Sequence, residues 1–171
     1  MSSRSTVLLS AFAAVSSAFA ANTWYVDDDN YNSEYTTYSD YENAGYDGKD
    51  EPKAFGTIQI AVDKASYGDK IIVLPGTYDK GLKDVNMDKS SFRARIYVSK
   101  GNLWIEAKEG KAVTHIVGAP DPDTEDGIGP KAAKCVHIGA SGVVFQGFTF
   151  RGGRSGTTDD DSSWASRGCA V

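Results

Sequence analysis

Between Phe55 and Tyr78 the chain changes its hydrophobic rhythm once. Ile58, Ala61, Val62 and Ala65 recur at the three-and-four spacing of one helix face, with Thr57 as a favourable N-cap and Gly68 as a stop. From Lys70 the pattern collapses into Ile71-Ile72-Val73-Leu74, a β-branched run suited to a strand buried on at least one side, and Pro75-Gly76 ends it. The order predicted is helix, Gly-Asp turn, strand, Pro-Gly turn.

No helical period returns after that point. Short strands are predicted at 71–74, 95–98, 103–107, 114–118, 134–138, 143–150 and 169–171. Ile72 to Ile116 spans 44 residues, and Ile96 to Val136 and Leu103 to Val143 each span 40, so three strands recur in one order. Each repeat holds a polar insertion, TYDKGLKDVNMDKSSF and then APDPDTEDGIGPKAA. Without them the unit is roughly 24 residues, one turn of a three-strand solenoid. Strands two to six residues apart have no room for the crossover an ordinary parallel sheet needs, whereas a coil that returns every three strands does not need one. The expected fold class is therefore all-β, a parallel solenoid over residues 55–171 whose open first coil is covered by the amphipathic helix. It stops in mid-strand at Cys169-Ala170-Val171, so an incomplete, N-terminal fragment of a longer solenoid is expected.

Two segments precede that unit. Residues 1–20 carry Arg4, an apolar run from Val7 to Val15 and the small-x-small triplet Ala18-Phe19-Ala20, the pattern of a cleaved secretory leader. The run is too short and too broken by serines to span a membrane, so a secreted or surface location is expected, with no span in the mature chain. Residues 21–54 combine a short strand, Thr23-Trp24-Tyr25-Val26, with a loop rich in acids and tyrosines. From Asn22 to Ala54 nine acids face two lysines, but the spacing of an EF-hand is missing, which favours a solvated acidic loop over a calcium site. The tyrosines there suit packing over the first coil, each ring buried with its hydroxyl at the rim.

Charge narrows the partners. The 171 residues hold 18 Lys+Arg and 23 Asp+Glu; removing the leader takes away one Arg and leaves a net charge of −6. No basic patch is evident, which argues against nucleic acid, and a polyanionic substrate would need a bound cation or a local Arg cluster. Cys135 and Cys169 are too few to build a disulfide scaffold, and pairing and free buried thiols both remain open.

The run from Phe55 to Tyr78, with Trp24-Tyr25-Val26-Asp27 before it and Val144-Phe145-Gln146-Gly147-Phe148-Thr149-Phe150-Arg151-Gly152 after it, resembles the N-terminal part of secreted proteins of the pectin-lyase-like superfamily. The resemblance spans Trp24 to Val171. It implies a right-handed parallel β-helix, a monomer when full length, and a role in binding or cleaving polysaccharides. Lyase action would come before hydrolase action, and a non-catalytic surface or adhesive module is the alternative. Lyases of that fold use Arg or Lys as base and calcium held by carboxylates.

The residues nearest to such chemistry lie in RGGRSGTTDDDSSW. Arg151 and Arg154 are candidate substrate-binding groups, Trp164 could stack on a sugar, and Asp159, Asp160 and Asp161 could supply calcium ligands. A polar loop of solvated charges explains the same residues. Catalytic residues cannot be assigned. His115 and His137 are each flanked by β-branched residues, and His137 shares a face with Cys135, but two ligands do not make a zinc site.

Overall fold

The computed structural model describes residues 21–87 and 90–154. In chain order the elements are β1 (Thr23–Val26), α1 (Tyr38–Asn43), α2 (Ile58–Lys64), β2 (Lys70–Val73), β3 (Gly76–Tyr78), β4 (Lys83–Met87), β5 (Ser90–Val98), β6 (Trp104–Ala107), β7 (Thr114–Val117), β8 (Ala133–Ile138), β9 (Val144–Gln146) and β10 (Thr149–Arg151). Short 3-10 turns lie at Asp28–Asn30 and Glu51–Lys53. The strands form three sheets: β1-β2-β6-β9 and β3-β7-β10, both all-parallel, and β4-β5-β8, in which β4 runs antiparallel to β5.

The expectation of an all-β chain wound as a single parallel β-helix is corrected here. Strands are divided among three small separate sheets, one of them mixed, and two α-helices contribute to the core, so the chain is α/β. Three local misreadings account for the difference. Gly76–Tyr78, expected as the end of a Pro-Gly turn and the start of the polar insertion, is a strand: Tyr78 points inward and its hydroxyl donates to the carbonyls of Val26 and Leu74. The strand Ile71–Val73 consequently pairs with β6, with Ile71 opposite Ile105, and it is β3 that pairs with β7. The 44-residue offset was therefore a mismatch of two different strands, while the 40-residue offsets hold in the pairings Ile96 with Val136 and Trp104 with Val144. The first polar insertion is a β4–β5 hairpin closed over Val85 and Phe92, which the sparse apolar content of KDVNMDKS conceals. The expected strand at 169–171 lies outside the described residues.

Register builds the interior. Trp24, Ile71, Ile105 and Phe145 are successive partners across the four-stranded sheet, and Tyr78, Ile116 and Phe150 across the second. Their side chains stack into one core with Phe55, Tyr41 and the helix α2. Phe145, Phe148 and Phe150 form a cluster with ring centroids 5.7–6.3 Å apart.

The helix behaves differently at its two ends. Thr57 caps the start through its hydroxyl, which accepts from Ile60 N. At the other end the backbone leaves helical geometry at Ala65, and Lys100 Nζ donates to the carbonyls of Val62, Asp63 and Ala65 at 3.3, 2.6 and 2.7 Å. These are carbonyls that a helix end leaves without partners, and an ammonium also suits the negative end of the dipole. Gly68, at φ +87, belongs instead to the turn that places Asp69. Gln59 lies buried on the same helix: its carbonyl accepts from Tyr97 N at 2.7 Å and its amide donates to Tyr97 O at 3.3 Å, so a side chain supplies hydrogen bonds that the backbone of β5 would otherwise seek from another strand.

Beyond β1, the 21–54 segment also holds the short helix α1, while Asp29, Glu34, Glu42 and Asp50 stay exposed. A capping box, with Thr37 and Asp40 each accepting from the other's backbone N–H, starts α1 and aims Tyr41 inward. Tyr41 is fully buried and packs edge-on against Tyr35, Tyr46 and Phe55. Asp69 fastens β1: its carboxylate accepts from Asn22 N, Trp24 Nε1 and Ser66 N, each at 2.8 Å.

Candidate functional site

Alternation along the four-stranded sheet sends Trp24, Ile71 and Ile105 inward, and the residues beside them outward. On the outer face Thr23, Lys70, Trp104 and Val144 form one cross-strand row, and Tyr25, Ile72, Glu106 and Gln146 the next. The Trp104 side chain is the centre of this face. It is 44% exposed, an unusual state for the largest apolar side chain, which normally buries on folding. Its indole N–H donates to Glu106 Oε2 at 2.7 Å, and Glu106 Oε1 holds Lys70 Nζ at 2.7 Å. The ring is thus fixed in place by a polar pair at its edge while one surface stays open.

Tyr67, 72% exposed, stands at the same margin of the sheet. Its hydroxyl accepts from Asn102 Nδ2, two residues before Trp104, and Trp104 N donates to Asp69 O two residues after Tyr67. Lys108, just past the end of β6, pairs with Glu51 at 2.6 Å. The Lys70 ammonium, and after it the Trp104 indole, hold Glu106 below the usual carboxylate range despite partial burial; Glu51 raises Lys108. Two carboxylate–ammonium pairs, Glu106 with Lys70 and Glu51 with Lys108, therefore lie along this face.

The residues expected from sequence are placed elsewhere. Arg151 ends β10, exposed, and Arg154 follows it with its guanidinium on the carbonyl of Gly153 at 3.3 Å. Among the described residues neither has an ion-pair partner. Asp159, Asp160, Asp161 and Trp164 lie outside the described residues. Cys135 is a free, buried thiol whose Sγ donates to Arg151 O. His137 stacks among Phe92 and Tyr97, and burial followed by Lys134 lowers its pKa, which favours the neutral ring.

Calcium chemistry finds one acidic group among the described residues, Asp27, Asp28 and Asp29, with carboxylate oxygens within 4.8 Å of one another. Two of them already have backbone donors: Asp29 N bonds Asp27 Oδ1 at 3.2 Å and Thr77 N bonds Asp28 Oδ2 at 2.8 Å. Gly76 is needed beside them, since a Cβ there would stand 1.9 Å from Asp28 Oδ1. Asp28 thereby anchors β3, while Asp27 caps the 3-10 turn. A polar depression of about 280 Å³ lies over the hairpin, lined by Asp84, Asn86, Ser91, Phe92, Arg93 and Pro130. Arg93 in it is committed to Asp84 and to the carbonyl of Lys131.

No family model, no curated protein and no solved structure matches the chain. The likeness to the pectin-lyase-like superfamily therefore rests on the residues quoted for it alone. No helix among the described residues is long and apolar enough to cross a membrane.

Of the two candidate rings, only Trp104 carries a signal in the sequence. In Leu103-Trp104-Ile105-Glu106-Ala107 the period of two already turns Trp104 away from the core.

Proposed function

We propose that the chain is a polysaccharide-binding protein, exported by its leader, whose binding surface is the outer face of the β1-β2-β6-β9 sheet. The observation that carries this reading is the half-exposed Trp104 indole, braced at its edge by Glu106 and Lys70. A pyranose ring has one face of C–H groups, which leaves water favourably when it lies on an aromatic surface, and hydroxyls around its rim, which need fixed donors and acceptors. Trp104 supplies the surface; Glu106, Lys70 and Gln146 supply the polar rim. Tyr67 offers a second ring for an extended chain.

Affinity electrophoresis through gels containing soluble polysaccharides tests the proposal. Retardation of the wild-type chain should be lost in Trp104→Ala and largely kept in Trp104→Phe, with thermal melting unchanged because the ring is outside the core. Equal retardation of wild type and Trp104→Ala would refute the assignment of the surface.

A further inference from the structure

Resting on the binding surface just proposed, we infer that its ligand is a neutral polysaccharide and that uronate or sulfated chains are rejected. The charge pattern of the face decides the class. It offers two cations, Lys70 and Lys108, and each is already held by a carboxylate: Lys70 by Glu106 at 2.7 Å and Lys108 by Glu51 at 2.6 Å. Glu109 lies close enough to Lys108 to act on its ionisation as well. Each of the two cations is thus compensated by a carboxylate before any ligand arrives.

Recognition of a polyanion has the opposite signature. Each carboxylate or sulfate entering a protein surface needs an uncompensated cation or a bidentate Arg, and the gain falls with salt as counterions compete. Among the described residues this face has no arginine. A uronate seated over Trp104 would have to displace Glu106 from Lys70, and would leave the indole N–H beside a carboxylate that repels the sugar. A neutral hexose or pentose chain meets no such conflict: its hydroxyls donate to the Glu106 carboxylate and accept from the Lys70 ammonium without separating the pair. The net charge of the whole chain, −5, points the same way.

The full chain is run through gels containing galactomannan, xyloglucan or hydroxyethyl cellulose, and through gels containing polygalacturonate or alginate, at low and at 150 mM salt. Retardation by at least one neutral polymer, insensitive to salt and reduced about tenfold or more in Trp104→Ala, is expected, with none by the two polyuronates. Glu106→Gln frees Lys70, and this variant should acquire salt-sensitive retardation by polygalacturonate. Wild-type retardation by a polyuronate that depends on Trp104 overturns the inference while leaving the binding surface in place. Retardation by neither class overturns the surface and the inference together.

Discussion

Asp69 and Asp27 are two carboxylates whose surroundings push them in opposite directions. Burial alone would raise Asp69, but the N–H of Ser66, the indole of Trp24 and the N–H of Asn22 outweigh it and leave the pKa lowered. A lowered folded-state pKa stabilises above the unfolded value of about 3.9, and the benefit is lost as pH falls through the folded pKa. Asp69→Asn keeps one acceptor oxygen of two and should cost about 1–3 kcal/mol at pH 7, with the difference from wild type shrinking as pH falls below about 4. Thermal melts from pH 7 to pH 2.5 measure it. Asp27 is raised, first by burial and then, against the N–H of Asp29, by the charges of Asp29, Asp28 and Glu51. A raised folded-state pKa costs stability from the unfolded value of about 3.9 upward and in full above the folded pKa, so Asp27→Asn should melt higher than wild type at pH 7, and the gain should vanish below about pH 4. Asn also serves as an N-cap, which keeps the Asp28–Asn30 turn intact in that variant.

At the scale of elements, α2 is held by residues from a distant strand and loop. Lys100→Met removes the donor from three carbonyls at the helix end, and a loss of about 1–3 kcal/mol is expected by denaturant titration. Gln59→Leu leaves the N–H of Tyr97 unpaired and should cost a similar amount; Gln59→Glu, which retains the acceptor, should cost less at low pH, where the carboxyl is neutral. What was legible of these elements is what is local. Thr57 as cap, the apolar face of α2 and the β-branched run of β2 all follow from neighbours within a few residues. The end of α2 was misplaced at Gly68 because its terminating donor, Lys100, is 35 residues beyond Ala65 in sequence. The hairpin strand β4 was unreadable because one apolar side chain, Val85, carries its burial.

For the whole molecule, the parallel pairings set both the fold and the face proposed to bind sugar. The sequence interval of 40 residues correctly matched β5 to β8 and β6 to β9, but the three-residue strand β3 escaped notice, and with it the true partner of β7. The missed strand β3 and the unread β4–β5 hairpin together turned three separate sheets and two helices into an expected single solenoid. The outward turn of Trp104 could be read from alternation in its own strand. Its neighbours could not: Lys70 reaches it only through the register of β2 on β6, 34 residues apart, and Tyr67 through the turn that Asp69 organises. Arg151 and Arg154 flank two glycines in sequence, a pattern that says little about what stands beside them in space.

The central claim is that Trp104 is the surface on which a sugar ring rests. The most direct test follows the indole N–H resonances of isotope-labelled protein during titration with a neutral oligosaccharide. The account predicts saturable shifts of the Trp104 indole and of the Lys70, Glu106 and Gln146 backbone amides, with the Trp24 indole, buried on Asp69, unmoved. Shifts confined to Arg151 and Arg154, or to the Asp27–Asp29 turn, with the Trp104 resonance unchanged, would contradict it.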